Sequence, residues 1–336
     1  MIRWLKILYL WRYWPKQVLY FPLTVYIILV ESIRTGRLFY FAAANPGISL
    51  GGFAGDSKHK ILSKVPDRLK PVTVFVSKDQ SFQSAEKSIS NLQYPLIAKP
   101  DVGEGGFKVK KLENVYDLID YHWRNKMDYL IQSYCDYKHE LTLLCYRSNN
   151  EFIVSSIVER IPFSVTGDGI CSVEELMLQS DKGFFNQKNL KRLYGSLLIK
   201  IPNKGFKVEA GSIGNWDYGA NYIERPELNT PEVQKQFTKI MNDVELFNYA
   251  RIDFKCKSYL DIIKGDIQIL EINGVKGEPV QIYDERYNLW QAYKIIFKHW
   301  TVIRQLSLLN IKRGFKCPGV LEGFRILYKH TLHKLH

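Results

Sequence analysis

Two short stretches constrain this chain more than any other feature: Tyr249-Ala250-Arg251-Ile252-Asp253-Phe254 and Ile267-Gln268-Ile269-Leu270-Glu271-Ile272-Asn273. Polar and apolar residues alternate along both with the period of a strand that buries one face. Arg251 and Asp253 therefore share a face, as do Glu271 and Asn273. Lys264-Gly265-Asp266 between them is a turn signal, so the pair reads as an antiparallel hairpin. A register that sets position 253 opposite 271 also sets 251 opposite 273. Two carboxylates, an amide oxygen and a guanidinium then converge on one patch. Hard oxygen donors in that number suit Mg²⁺ shared with a nucleotide's phosphates, and an Arg beside them can hold developing negative charge. On an isolated surface hairpin the same residues would be no more than solvated charges, so the reading needs a second signal.

That signal lies upstream. Tyr94-Pro95-Leu96-Ile97-Ala98-Lys99-Pro100 reads as a buried strand ending in a Lys, and Asp101-Val102-Gly103-Glu104-Gly105-Gly106-Phe107-Lys108-Val109 follows at once. Glycines let backbone N–H groups approach an anion and the Lys adds a point charge, which is how proteins hold phosphate. The spacing is neither a Walker A loop nor a dinucleotide fingerprint. A third segment, Tyr129-Leu130-Ile131-Gln132-Ser133-Tyr134, is an apolar strand, and a short loop leads from it to His139-Glu140-Leu141-Thr142-Leu143-Leu144.

Together, in this order, these segments resemble the ATP-grasp superfamily, the fold of D-alanine–D-alanine ligase, glutathione synthetase and cyanophycin synthetase. The resemblance covers roughly residues 58 to 290. It implies an α+β fold in which two subdomains grip ATP. By the same resemblance Lys99 would balance β-phosphate charge under a flexible lid at Gly103, Gly105 and Gly106. Gln132, Ser133 and Tyr134 would form the adenine hinge, and Glu140 would take the ribose hydroxyls. Asp253, Glu271 and Asn273 would hold Mg²⁺, with two ions expected and Mn²⁺ able to substitute, and Arg251 would stabilise the transferring phosphoryl group. Lys58 fits the family's earlier nucleotide-contacting Lys, with Lys60 a near rival. Val165-Thr166-Gly167-Asp168-Gly169, followed by Ser172-Val173-Glu174-Glu175-Leu176, is similar to a stretch of the cyanophycin and glutathione branch.

The chemistry implied is ligation: a carboxylate, an amino acid in the first instance, attacks the γ-phosphate to give an acyl phosphate, and an amine displaces phosphate. Protein work in such a reaction is mostly positioning and charge neutralisation. No general base is identifiable in the sequence. Arg160, Lys276 and the segment Gly211-Ser212-Ile213-Gly214-Asn215-Trp216-Asp217-Tyr218-Gly219-Ala220-Asn221 are candidates for substrate contact. Two departures bear on the substrate. Gln132 stands where the family usually has an acid, and Gly274-Val275-Lys276-Gly277-Glu278-Pro279 replaces the small-residue loop of D-alanine–D-alanine ligase. A kinase-like ATP-grasp enzyme and a non-catalytic ATP-binding membrane protein remain as alternatives.

The chain is 336 residues long with 46% hydrophobic residues, enough for two or three subdomains with a substantial core. Five scattered cysteines (Cys135, Cys145, Cys171, Cys256, Cys317) without a CxxC pair indicate a reducing compartment and no structural zinc. With ATP use, this places the expected site in the cytoplasm. The expected division is a basic apolar region over 1–57 ending in a glycine-rich loop, an ATP-grasp domain over 58–293 with its hinge near 131–140, and a basic amphipathic tail over 294–336. The family's usual large N-terminal α/β domain is expected to be missing or much reduced. Asn45-Pro46-Gly47 and Gly51-Gly52 argue for an irregular loop that runs directly into Lys58.

Charge is segregated at the two ends. Residues 1–37 hold six Lys or Arg against one Glu, residues 294–336 hold nine against one, and the rest is balanced, so the ends carry the whole net charge of +13. Trp4, Trp11 and Trp14 and the apolar run Val18 to Val30 share the N-terminal end with those cations. That run is shorter than the ~18–20 residues that span a bilayer. Basic, aromatic-rich apolar ends suit the anionic inner face of a membrane, where each Lys or Arg contributes about 1 kcal/mol. They equally suit helices packed on the core with their charges solvated. Neither end contains a nucleic-acid module, so no nucleic acid is expected as a partner.

Overall fold

The alternation that singles out residues 249–254 and 267–273 does produce two antiparallel strands, with Arg251 opposite Asn273 and Asp253 opposite Glu271. The computed structural model that contains them describes residues 5–103, 105–209 and 214–335. Trp4, Glu104, Gly211, Ser212 and Ile213 lie outside that description. In chain order the strands are β1 Thr73–Val76, β2 Leu96–Pro100, β3 Lys110–Leu112, β4 Tyr129–Ser133, β5 His139–Ser148, β6 Glu151–Ile161, β7 Ser164–Thr166, β8 Lys207–Glu209, β9 Asn221–Glu224, β10 Tyr249–Cys256 and β11 Gln268–Asn273. The fold is α+β with antiparallel sheets. Two units divide the chain: residues 22–157, 225–279 and 293–336 form the larger, and 1–21, 158–224 and 280–292 the smaller.

The first sheet of the larger unit runs β1-β4-β2-β3. Leu96 and Ala98 of β2 turn toward helices Phe82–Ser88 and Val115–Arg124 and join Val76, Ala85, Leu118, Tyr121 and Ile131 in one core. Both helices start on a side-chain cap: Ser81 accepts from the Ser84 N–H, and Asn114 from those of Tyr116 and Asp117. Period two sends Lys99 to the other face. Its register partner Leu130 points the same way and joins a second core, so that face is turned to the second sheet.

This second core is built on β11-β10-β5-β6. Helix Pro231–Val244, opened by a Thr230 cap and a first-position Pro, buries Val233, Phe237, Ile240, Met241 and Val244 along one stripe. They pack on Leu141, Leu143, Ile252, Phe254 and Ile269. Two local features differ from the sequence reading. The link between β10 and β11 is not a tight turn: it holds a short helix, Leu260–Lys264, and Gly265 is its left-handed stop (φ +72°). The ladder also carries a bulge, because Phe254 pairs with Ile269 and Asp253 with Glu271, leaving Leu270 as the extra residue.

The Asn45–Lys58 segment is more than a connection. The buried Asn45 side chain donates to the carbonyls of Gly51 and Tyr249, both at 2.9 Å, and accepts from the N–H groups of Asn248 (2.8 Å) and Tyr249 (2.9 Å). Val275 N–H then donates to Gly51 O (3.0 Å) and Lys276 N–H to Gly52 O (3.2 Å). The loop is thereby laid along the segment that leaves β11.

In the smaller unit, Val158–Ile161 of β6 pair with β9, and β7 pairs with β8. Ser172 and Glu175 form a reciprocal cap on helix Val173–Gln179, and Phe163, Val165, Met177, Leu190 and Tyr194 share a core. The chain's N-terminal part belongs here. Arg12 donates to the carbonyls of Asp284 and Glu285 (3.1 Å each), Lys6 pairs with Asp181 (3.0 Å) and Trp11 is buried.

At the other end, helix Val320–Leu335 in the larger unit sets Gly323 against the Phe39 ring, where a Cβ would stand 2.2 Å from a ring carbon. The Phe324 ring meets Phe39 edge-on at 5.6 Å, while Leu321, Tyr328 and Leu332 lie on the exposed side of the helix. Among the described residues, no helix is long and apolar enough to cross a membrane.

Gly52 (φ +87°) meets Gly274 so closely that an added Cβ would stand 2.5 Å from the Gly274 Cα. Gly52→Ala is expected to cost roughly 2–5 kcal/mol in urea denaturation, combining left-handed strain and overpacking. Gly36→Ala, at φ +66° with nothing within 4 Å, should lose only the strain, about 1–2 kcal/mol.

Candidate active site

Lys99 ends β2 on the face turned to β11, and its ammonium donates to the carbonyl of Leu270 at 2.9 Å. Leu270 is the bulged residue, so the acceptor comes from the irregularity in the ladder. Burial lowers the Lys99 pKa to about 8; Glu271 and Asp253 oppose the drop and Lys58 adds to it.

Lys58 opens a short helix, Lys58–Leu62, whose start is pinned by the residue that follows Pro100. Asp101 accepts from the Ser57 hydroxyl (3.1 Å) and the His59 N–H (2.7 Å), and its carbonyl accepts from Lys58 N–H (3.0 Å). From there the Lys58 ammonium donates to the Gly103 carbonyl and stands 3.5 Å from Glu271. Lys60 is exposed, with its N–H spent on the Ser57 cap, so Lys58 is the lysine turned into the cluster. Gly105 and Gly106 adopt left-handed backbone (φ +64° and +74°), which bends the loop beyond Gly103.

Asp253 is buried between two neighbours. The Thr142 hydroxyl, its register partner on β5, donates to one carboxylate oxygen at 2.9 Å, and Arg251 donates to the other at 3.3 Å. Asn273 keeps a buried side-chain nitrogen without a hydrogen-bond partner. Asp253, Glu271 and Asn273 thus offer oxygen donors from adjacent register positions. Among the described residues no group of three or more His, Cys, Asp or Glu could hold a metal by itself. Two carboxylates and an amide fit a hard divalent ion that completes its sphere with phosphate oxygens and water.

The expected hinge has a different division of labour. Gln132 is buried and its amide donates to the Thr73 hydroxyl at 2.8 Å, while Ser133 N–H donates to Val72 O at 3.0 Å. The Gln132 nitrogen therefore serves the sheet. Tyr134 presents its ring to Lys111 (4.6 Å) and Lys255 (5.6 Å), and Lys255 pairs in register with Glu140.

Lys276 lies over the Phe53 ring at 5.6 Å. The segment it belongs to is tightly confined, since a Cβ on Gly277 would stand 2.7 Å from that of Arg251. His299, buried and bonded to the Tyr249 hydroxyl and to the backbone at Val275, supports the same segment from helix Leu289–Lys312; burial lowers its pKa to about 3. Arg160 and Asn215 belong to the smaller unit, where Arg160 lies 5.7 Å from the Tyr222 ring and Asn215 caps the turn Trp216–Tyr218. Sequence reading missed Thr142. Thr142 carries a usable signal, a polar residue inside the apolar run of β5.

No protein-family model and no curated protein matches the chain. Among solved structures it is similar to D-alanine–D-alanine ligase from Bacillus anthracis, at 16% identity and TM-score 0.42, over 77% of this chain and 69% of that one. It is similar to the VanG D-Ala:D-Ser ligase from Enterococcus faecalis at 14% identity and TM-score 0.42, over 76% of this chain and 61% of that one. A bifunctional glutathione synthetase from Pasteurella multocida follows at 16% identity and TM-score 0.37, over 72% of this chain and 35% of that one. At TM-scores below 0.5 such likenesses carry no functional argument, which has to come from the side chains.

Because the folded-state value of Lys99 lies near 8, below its ordinary 10.5, the unfolded chain holds more protons between the two and stability rises with pH across that window. A polyphosphate bound beside the ammonium would restore the charged form. Titration calorimetry with ATP and Mg²⁺ near pH 8.5, in buffers of different ionisation heat, is expected to show net uptake of a fraction of a proton, and Lys99→Met should abolish it.

Proposed function

We propose that this chain is an ATP-dependent ligase that joins a carboxylate, an amino acid in the first instance, to an amine through an acyl phosphate. The observation that carries the reading is the convergence, within one unit, of Lys99 and Lys58 with the Arg251, Asp253, Glu271 and Asn273 set across a defined register. Lys99 and the loop at Gly103, Gly105 and Gly106 would hold phosphates, and Ser133, Tyr134 and Glu140 would border the nucleoside. Asp253, Glu271 and Asn273 would hold Mg²⁺, which when bound draws charge from the phosphate oxygens. Arg251, fixed by Asp253, faces the same patch and would hold charge on the transferring phosphoryl group and on the later oxyanion. Lys276, on the confined segment after β11, would meet the substrate, and Arg160 and Asn215 remain substrate candidates on the smaller unit.

Glu271→Gln keeps the side chain's size and removes one charge. It is expected to lower ATP- and Mg²⁺-dependent ADP release, screened over pooled amino acids, by roughly a hundredfold or more with an unchanged thermal transition. An undiminished rate would remove Glu271 from the metal set. Product identity separates ligation from phosphoryl transfer: an amide supports the ligase and a phosphorylated acceptor the kinase-like alternative.

We further propose that the enzyme works at the anionic inner face of a membrane, on an acceptor presented there such as a lipid or a lipid-linked glycan precursor. What supports this is the outer face of helix Val320–Leu335, where Leu321 (87% exposed), Tyr328 and Leu332 form one stripe flanked by Arg325 and Lys329. Vesicles containing anionic lipid are expected to co-sediment the protein at low salt, with binding lost at high salt and in the double variant Leu321→Glu, Tyr328→Glu. A protein that stays in the supernatant removes the membrane from the proposal and leaves the ligase untouched.

A further inference from the structure

Register sorts the residues of β5 as it sorts those of β10. Leu141, Leu143 and Cys145 enter the core with Ile252 and Phe254. Glu140, Thr142 and Leu144 therefore take the other face, opposite Lys255, Asp253 and Arg251. Thr142 is 1% exposed there, so its hydroxyl has been taken out of water and needs a partner within the protein. That partner is Asp253. An ionised carboxylate only accepts, so the Thr142 hydroxyl donates its one proton to the first oxygen at 2.9 Å, and Arg251 reaches the second at 3.3 Å.

The three oxygen donors of the metal set are held very differently. The Asn273 amide nitrogen is buried with no hydrogen-bond partner, so no bond to it sets which way the amide faces. Glu271, partly exposed, has the Lys58 ammonium at 3.5 Å, an ion-pair distance. Asp253 is buried and has a donor on each oxygen. Its two donors differ in turn. Arg251 is a charge on a long arm and faces the patch where the transferring phosphoryl group would lie. Thr142 is uncharged and β-branched, with few rotamers, on a strand flanked by β10 and β6.

Resting on the ATP and Mg²⁺ part of the reading above, we propose that Thr142 is a positioning residue for the metal. Its hydroxyl aims the Asp253 carboxylate in advance, so that Asp253 is the preformed ligand of the set and stays aimed when Arg251 turns to phosphate. Thr142 acts through Asp253, as the hydrogen-bond partners of metal-binding carboxylates do.

Thr142→Val keeps the side chain's shape and branching and removes the hydroxyl, and Thr142→Ala is a second hydroxyl-free variant measured beside it. Calorimetry gives the affinity for a non-hydrolysable ATP analogue with and without Mn²⁺, and the ratio of the two affinities isolates what the ion contributes. In both variants that ratio is expected to fall about tenfold or more, while the affinity without Mn²⁺ stays within about threefold of wild type. Thr142→Ser should recover most of the ratio, and thermal melts report that each variant is folded. A ratio left intact by the loss of the hydroxyl, an equal loss without Mn²⁺, or a Ser variant as impaired as the Val variant overturns the role of Thr142 and leaves the ATP site standing. Wild-type protein that binds the analogue without any gain from Mn²⁺ overturns the metal set and Thr142's role with it. Wild-type protein that binds no analogue overturns the ATP reading itself.

Discussion

The ammonium of Lys99, buried between two sheets and donating to the Leu270 carbonyl, is the interaction on which the site depends. Burying an ammonium costs several kcal/mol unless charge and hydrogen bonds compensate. Here the compensation is one carbonyl and the field of Glu271 and Asp253, and the nearby Lys58 works against it. The group is left with unspent capacity to attract anionic oxygen, and two strands far apart in sequence must meet to hold it there. The Gly103 carbonyl on Lys58 and the Asp101 staple extend the same join toward the glycine loop.

Period-two alternation was enough to read that Arg251 and Asp253 share a face, as Glu271 and Asn273 do, and to read the strand that carries Lys99. The register that sets 253 opposite 271 could be given only as a condition, and the ladder meets it. Alternation fixes the face because each strand buries one side and a slip of one residue would turn every side chain over, while a slip of two would leave the pattern unchanged. The bulge left only a faint trace, the stumble Ile269-Leu270-Glu271 where an alternating strand should carry a polar residue at 270. Gly265 signalled a reversal correctly, but Gly serves a helix stop as well as a hairpin. Lys58 and Lys60 could not be ranked, because the choice depends on a helix phase fixed by Ser57 and Asp101.

The ends of the chain teach a related lesson about counting charge. Lys6 is committed to Asp181 and Arg12 to backbone carbonyls, while Arg34 (3.2 Å) and Arg304 (3.1 Å) both reach the buried Glu31. A net charge summed over a segment treats these as free cations, although they serve as internal struts. Arg325 and Lys329, beside the exposed stripe of the last helix, are open to an external field.

The bulge at Leu270 has a consequence for how such a site can change over time. If Leu270 were deleted, Ile269 and Glu271 would become consecutive opposite Phe254 and Asp253, and the ladder would close into a regular one with every metal-facing residue in place. What would vanish is the carbonyl that Lys99 leans on. Pairing and electrostatic grip are thus set by separate residues of one strand. A single-codon insertion or deletion, ordinarily ruinous inside a sheet, would here adjust the hold on phosphate while sparing the metal set, giving lineages a length-based dial that point substitution does not supply.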